Sequence, residues 1–527
     1  HCSAGPPGPP GNRCTTRNRP MARTVCVSCN GSGAKRPCPA LGGMICGPCC
    51  GSKRHSSIRC AAECPHNPFG VDNYHEWLRL DASWGDKCVK YIAAHCPLDE
   101  YSFKKELAGY VLFEGSVEED VLLDAAPLWI HARLFWEPYR DGMPLADCWE
   151  REGWQGLNND ERTMMALRRE TYPVILEIQE KIDDTAMRCV DLLDLEKKPF
   201  TVFDRSMAAR CSRFLRSVNL VCAYPHYFRS GPSGLELQHE LTGPFLEEME
   251  ARSAEVGVPV RDYLRGHFVE ACRLVHRMGI RRMESMLDSL DMSEWRAVYG
   301  LNIPRDAVAK VLSTKPDFEP EESATDGVAE YTWLRRGESK KLEKKMPAFF
   351  RHGDDEDAGV GTVGRLRLSD DTVEIIAFGK QKFRFARKML EKYLGACIAF
   401  QSETETDLKE GLRQSLQDGP LQRSESPIDG SPEGESEIPP EARAGILRGF
   451  HQQHYRQFLD APVPMLEDKT PLQAARNKKL RPKLVDLMKL HIQGIEKRNL
   501  EDPHLGLDID WVLDALGLEE LKSGSGK

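Results

Sequence analysis

The feature that most constrains this chain is a cluster of cysteines near its N-terminus. Eight of the eighteen cysteines lie between Cys26 and Cys64. A C-x-x-C pair turns tightly enough to place both sulfur atoms on one metal ion at about 2.3 Å, and two such pairs complete a tetrahedron. The spacing is Cys26-x2-Cys29-x8-Cys38-x7-Cys46-x2-Cys49-Cys50-x9-Cys60-x3-Cys64. The pattern therefore predicts a small zinc module over residues 21–70.

Eight thiolates are enough for two tetrahedral sites. The two C-x-x-C pairs form the first predicted site, Cys26, Cys29, Cys46 and Cys49, and the other four cysteines form the second, Cys38, Cys50, Cys60 and Cys64. Cys50 can take the place of Cys49, and His55 or His66 can replace one ligand of the second site. Because four protein thiolates leave no position for water, both Zn2+ ions are expected to be structural.

A disulfide framework is the alternative interpretation of clustered cysteines. The N-terminus has no apolar signal-peptide core, and no run approaches the ~18 apolar residues that a membrane helix needs. The cysteines are therefore interpreted as metal ligands in a reducing compartment. We expect a cytoplasmic protein without a membrane partner.

The first knuckle carries a family resemblance. The run from Cys26 through Asn30-Gly31-Ser32 to Gly33 resembles one repeat of the DnaJ cysteine-rich domain, whose pattern is C-x-x-C-x-G-x-G. The stretch from Cys29 to Cys38 is similar to the SEC-C zinc motif. Both resemblances cover only about 40 residues, and Lys53 stands where a second DnaJ-type repeat would have glycine. They imply a zinc knuckle that docks onto another protein.

The charge of the module leaves a nucleic-acid partner open. Residues 21–60 contain no acidic residue and six basic ones, namely Arg23, Lys35, Arg36, Lys53, Arg54 and Arg59. Each Zn(Cys)4 centre carries about −2, so two centres reduce +6 to about +2. The same residues include no Phe, Trp or Tyr on which a base could stack. A protein partner is therefore preferred over nucleic acid.

The rest of the sequence predicts a multidomain α+β protein, with a mixed helical and β-sheet middle, a small ββαβ unit and a helical C-terminal region. In order, the predicted segments are a disordered leader (1–20), the zinc module (21–70), an α+β middle domain (71–315), a linker and loop (316–364), the ββαβ unit (365–400), an acidic disordered linker (401–440), a helical C-terminal domain (441–521) and a frayed tail (522–527). The middle domain reads as helical over 71–171, β-rich over 172–237 and helical over 238–315.

Local signals support several of these elements. Ser116 is a predicted helix cap, Pro127 should divide the following helix, and Asn159 or Asp160 should cap the next one. The group Tyr224, His226, Tyr227 and Phe228 either lines a pocket or packs at a sheet edge. Residues 401–440 carry ten acidic and three basic residues, a net charge of −7 out of −9 for the chain, which is typical of a solvated linker.

A second resemblance lies near the C-terminus. The stretch from Phe458 through Pro462 to Thr470-Pro471, followed by Leu484 to Ile495, is similar to the toxin-binding domain of the MbcA/ParS/Xre antitoxins. The family shares a Trp-Leu, Pro and Thr-Pro pattern before a helix, and here Phe458 stands for the Trp. The resemblance implies a helical unit that binds a partner.

These observations favour a non-enzymatic zinc-binding protein with an interaction or scaffold role. A nucleic-acid-associated regulatory protein that uses the basic module is one alternative. The second alternative is an enzyme of unrecognised type within residues 72–312. The sequence contains no known catalytic signature, but an unfamiliar active site need not carry one. No catalytic residue is assigned.

Overall fold

The computed structural model describes residues 24–115, 119–289, 293–321, 327–334, 336, 362–409, 413 and 440–523. The predicted leader, the Ser116 cap, the loop before Thr362, most of the acidic linker and the last residues of the tail lie outside these ranges. The chain divides into two compact units, one made of residues 1–111, 120–268 and 438–527, the other of 112–119 and 269–437. Within the described part, no helix has the length and apolarity needed to cross a membrane.

The N-terminal part of the first unit consists of the cysteine module followed by a helical layer. The module contains β1 (Arg36–Cys38), β2 (Gly43–Ile45) and α1 (Gly47–Lys53). The layer contains α2 (Tyr74–His95), α3 (Glu100–Ala108), α4 (Glu119–Asp124), α5 (Ala126–Phe135), β3 (Pro138–Arg140), β4 (Met143–Pro144), α6 (Leu145–Arg151) and α7 (Asn159–Arg169). Trp77 and Trp84 are buried on one face of α2, as their spacing predicts. Pro127 follows the break between α4 and α5, also as predicted.

The cap of α7 lies one residue earlier than predicted. Asn158, rather than Asn159 or Asp160, accepts a hydrogen bond from the Glu161 N–H at 3.0 Å, and the Glu161 carboxylate accepts the Asn158 N–H at 2.8 Å. This reciprocal pair is a capping box. Two more residues of cap-forming type follow Asn158, which is why sequence alone misplaced the start.

The β-rich segment closes into a barrel. Its elements are β5 (Tyr172–Lys181), β6 (Ala186–Asp191), β7 (Phe200–Phe203), α8 (Arg205–Arg210), β8 (Arg216–Ala223) and β9 (Phe228–Glu236). The strand order is β5-β6-β7-β9-β8, with β8 returning to pair with β5 and with β7 and β9 parallel. The first four strands form a Greek key, and β9 closes it. Helices α9 (His239–Val256) and α10 (Val260–Gly266) follow.

The second unit is built on an antiparallel sheet. Its elements are α11 (Phe268–Ser289), β10 (Ser293–Leu301), α12 (Arg305–Ser313), β11 (Phe318–Glu321), β12 (Ala329–Leu334), β13 (Thr362–Leu368), β14 (Thr372–Phe378), α13 (Lys380–Leu394) and β15 (Ile398–Asp407). The described strands follow the order β11-β12-β13-β14-β10-β15. The predicted hairpin of the ββαβ unit is β13 and β14. Phe383, Ala386 and Leu390 of α13 belong to the core beside this sheet.

Three predicted segments differ from the structure. The helical segment 238–315 contains β10, and the linker 316–364 contains β11 and β12. The acidic linker predicted at 401–440 begins with seven strand residues, because β15 continues to Asp407. Strands β10 and β15 pair with each other although they are far apart in sequence, and the alternation of Trp295, Ala297 and Tyr299 is the one local sign of β10. Strands β11 and β12 form a local pair, in which Phe318 lies opposite Trp333. The proline and acidic residues of that segment are typical of a linker, which is why the sequence did not predict it.

The C-terminal helices complete the first unit. They are α14 (Pro440–Asp460), α15 (Pro471–Ala475), α16 (Arg481–Glu501) and α17 (Asp510–Leu516). Thr470 caps α15 through a capping box with Gln473, and Pro471 occupies the first turn, as Thr-Pro predicts. Phe214, from the barrel, belongs to the same apolar cluster as Leu484 and Met488 of α16.

A buried carboxylate joins α16 to the barrel. Glu177 on β5 is almost fully buried and accepts hydrogen bonds from Arg216 Nε at 2.7 Å and Lys489 Nζ at 2.6 Å. Burial opposes its charge, but Lys489 and Arg216 outweigh burial and lower the pKa of Glu177. This stabilisation is complete above the ordinary carboxyl pKa of about 4.3 and is lost as pH falls through the lowered folded value.

We expect Glu177→Gln to reduce the free energy of unfolding of this unit by about 3–5 kcal/mol, because it leaves Lys489 without its carboxylate and Arg216 with only the half-exposed Asp486, 3.1 Å away. The control is Glu180→Gln on the same strand, whose half-exposed pair with Arg188 spans 3.4 Å. That change should cost ~0–1 kcal/mol. Urea denaturation followed by circular dichroism measures both, and equal effects would show that the Glu177 cluster does not anchor α16.

Candidate metal centre

The first knuckle holds Cys26 and Cys29 in a tight turn. Cys26 N–H donates to the Gly31 carbonyl at 2.8 Å, and Asn30 N–H donates to the Cys26 carbonyl at 2.8 Å. Asn30 has a φ of 58° and Gly33 a φ of 96°, so the chain reverses through left-handed backbone. A Cβ on Gly31 would lie 3.3 Å from Cys29 Sγ. Glycine at position 31 therefore leaves room for the Cys29 sulfur.

The second knuckle is the start of α1. Cys46 precedes the helix, and Cys49 and Cys50 lie within it. Cys46 N–H points at Cys26 Sγ, 3.3 Å away, which is the backbone contact that stabilises a thiolate ligand. Adjacent helical residues are rotated by about 100° from each other, so Cys49 and Cys50 face different directions.

The sulfur atoms of Cys26, Cys29, Cys46 and Cys49 all lie within 4.8 Å of one another. The Cys29 and Cys46 sulfurs are 3.9 Å apart, and two thiolates on a tetrahedral Zn2+ at 2.3 Å would be about 3.8 Å apart. None of the eight clustered cysteines forms a disulfide. These four cysteines therefore form a group that can hold a metal ion, and it contains Cys49 rather than Cys50.

The pKa values of two of these thiols show how a metal cation would favour their ionised forms. Hydrogen bonding from the Cys46 backbone lowers the pKa of Cys26 to about 6. Hydrogen bonding with the thiols of Cys46 and Cys29 raises the pKa of Cys49 to about 12. Cys26 therefore ionises easily, whereas the neighbouring sulfur atoms oppose ionisation of Cys49. A divalent cation removes that opposition, which is why such clusters bind metal and release protons together.

The other four cysteines lie around a separate small cavity. Cys38, Cys50, Cys60 and Cys64 line one cavity of about 10 Å³, together with His66, Ile45 and Ile58. No three of their sulfur atoms lie within 4.8 Å of one another, unlike those of the first group. His55 does not join them, because its Nε2 is hydrogen-bonded to Asn67 Oδ1 at 2.8 Å and its ring packs on Phe69.

The module is fixed to the rest of its unit by polar and aromatic contacts. Arg54 forms an ion pair with Asp160 at 3.2 Å, and His226 Nε2 contacts the Cys60 carbonyl at 2.9 Å. Phe69 stacks on Tyr224, with ring centroids 5.8 Å apart. Two basic side chains of the module are engaged within the protein. Arg54 forms the ion pair with Asp160, and Lys53 Nζ donates to Ser28 Oγ at 2.8 Å.

No family model, curated protein or solved structure matches this chain. The similarities to the DnaJ repeat, the SEC-C motif and the antitoxin domain therefore rest on their motif residues alone.

Removal of the metal should unfold the module. Its apolar core consists of Cys26, Ala34, Ile45, Cys50 and Ile58, which is too small to hold about 40 residues together. We expect a strong chelator to make all eight clustered cysteines reactive to alkylation, while buried Cys189 and Cys222 stay protected. Mass spectrometry of alkylated peptides measures this. Continued protection of Cys26 and Cys46 in metal-free protein would contradict a metal-dependent module.

Proposed function

We propose that this is a non-enzymatic zinc-binding protein with a protein–protein interaction or scaffold role, in which the metal is structural. The proposal depends on one observation, the approach of four cysteine sulfurs to within 4.8 Å of one another. Four sulfur ligands fill a tetrahedral zinc ion and leave no position for water or substrate. The metal then contributes folding energy rather than chemistry.

A second zinc ion is part of the proposal. The other four cysteines surround a cavity with room for about one atom-sized probe. Cys49 serves the first site and Cys50 the second, so α1 links the two ions. Such a cross-braced arrangement explains why a short segment with little apolar core contains eight cysteines.

Apolar residues exposed near the first knuckle support a protein partner. Val25, Val27 and Leu41 are exposed, and Val27 lies against the second strand of the module through its bond to the Met44 carbonyl. Apolar surface beside a rigid zinc knuckle suits protein docking. Arg54 is paired with Asp160 and Lys53 is hydrogen-bonded to Ser28. These internal contacts reduce the basic surface that nucleic acid would need.

We expect native mass spectrometry with metal analysis to find two zinc ions in the full chain. Cys29→Ser should lose the ion of the first site and Cys60→Ser that of the second, leaving one zinc in each variant. Cys148→Ser, outside the cluster, should keep both. Zinc-free protein that is nevertheless ordered over residues 24–64, or disulfides among these cysteines, would disprove the proposal.

The interaction role has its own test. We expect Val27→Asp to keep both zinc ions and to abolish any stoichiometric protein complex that co-purifies with the wild type, whereas Val256→Asp, an exposed valine at the end of α9, should leave that complex intact. Retention of the wild type on DNA or RNA at low salt, lost in Lys35→Gln/Arg59→Gln, would instead favour the nucleic-acid alternative.

A further inference from the structure

A cavity of about 350 Å³ lies in the first unit, between the helical layer and the barrel. Helix α2 contributes Trp77, Asp81 and Trp84 to its wall. Helix α5 contributes His131, and the end of α7 contributes Arg168. The barrel side is formed by strands β8 and β9, with Cys222, Arg229 and Gly231, and by Tyr224 just beyond β8. The volume is in the range of small-molecule sites.

Arg229 is a buried cation with no carboxylate partner among the described residues. Its side chain is 9% exposed. One guanidinium nitrogen donates to Tyr74 Oη and to the Phe203 carbonyl, each at 2.7 Å, while Nε has no partner. The group lies 3.8 Å from the centroid of the Trp77 ring. A cation–π contact does not replace an anion, so a buried charge of this kind is costly unless something pairs with it.

The rest of the cavity wall offers aromatic surface. Trp77, Trp84 and Tyr224 line it beside His131, and Tyr224 is 6% and His131 3% exposed. The Tyr224 hydroxyl is hydrogen-bonded with the Arg168 guanidinium, so it is already engaged within the protein. Arg229 is therefore the lining group that calls for a partner.

The acidic side chains of the cavity are already engaged. Asp81 accepts a hydrogen bond from Arg168, whose guanidinium lies 4.3 Å from the centroid of Trp84. Asp204 accepts the Met207 N–H at 3.0 Å and so caps α8. Burial lowers the pKa of His131 to about 3 and raises that of Tyr224, so both are neutral at pH 7. Of the two arginines in the wall, Arg168 is thus paired with Asp81, whereas Arg229 has no carboxylate within ion-pair distance among the described residues.

We propose that this cavity binds a small organic molecule through a carboxylate or phosphate group, with Arg229 as its principal ionic partner. Arginine presents planar N–H donors that match both oxyanions. The rings of Trp77 and Trp84 would contact the body of the ligand. The Arg168 side chain is 21% exposed and marks the side open to solvent. The site falls within residues 72–312, and the proposal concerns binding alone.

Calorimetric titration of the zinc-loaded full chain tests this with benzoate, phenyl phosphate and inorganic phosphate. Benzoate and phenyl phosphate share a ring and differ in the anion, so together they identify the oxyanion. Benzamide, a neutral analogue of benzoate, is the control ligand. We expect at least one ring-bearing anion to bind at millimolar concentration or below, and benzamide to bind at least about tenfold more weakly.

Two variants locate the binding. Arg229→Gln should weaken the anion by about ten- to a hundredfold, and Arg252→Gln, in a surface pair on α9, should change nothing. Arg229→Lys keeps the charge but loses the planar pair of N–H donors, so the protein should stay folded while the anion binds several-fold more weakly. That result decides the matter if Arg229→Gln does not fold. Absence of binding by all three anions, or unchanged binding in the folded Arg229 variant, would overturn the proposal.

Discussion

Mutual repulsion among thiolates is the constraint on which the cysteine module depends. Four sulfur atoms lie within 4.8 Å of one another, and the buried apolar residues beside them, other than cysteines, are Ala34, Ile45 and Ile58, with Met44 partly buried against them. Burial of three such side chains contributes a few kcal/mol at about 25 cal/mol per Å², far less than the chain entropy of forty residues. A doubly charged cation would turn the repulsion into attraction, and in the proposed zinc site its coordination bonds would stand in for the missing core.

The metal site and the cavity are connected through aromatic packing. Phe69 follows the last cysteine of the module, is fully buried and stacks on Tyr224. Tyr224 in turn meets Trp77 edge to face, with centroids 5.8 Å apart. Both Tyr224 and Trp77 line the cavity. Phe69 of the module thus contacts Tyr224 of the cavity wall directly.

How far the sequence could predict this structure depends on how local each signal is. The ligands of the first site follow from two C-x-x-C turns, and the β13–β14 hairpin from a short turn, because partners lie close in the chain. Strand β10 pairs with the distant strands β14 and β15, and β11 lies in a segment rich in proline and acidic residues, so both were missed. The cavity was missed as well, since its lining comes from α2, α5, α7 and the barrel, which are far apart in sequence. Only the cluster around Tyr224 hinted at a pocket, and sequence gave no reason to prefer it over packing.

Glu177 and Arg229 are both buried charged side chains, but they differ in whether the protein supplies an opposite charge. Both are buried on barrel strands. Glu177 has two cationic partners, one of them Lys489 from the far end of the chain, so its burial is fully compensated within the molecule. Arg229 has aromatic rings and neutral oxygens around it but no anion in the described structure. Desolvation penalises both charges, and only Arg229 is left without an opposite charge beside open volume. A ligand that carries an oxyanion would supply that opposite charge, as Arg216 and Lys489 supply it for Glu177.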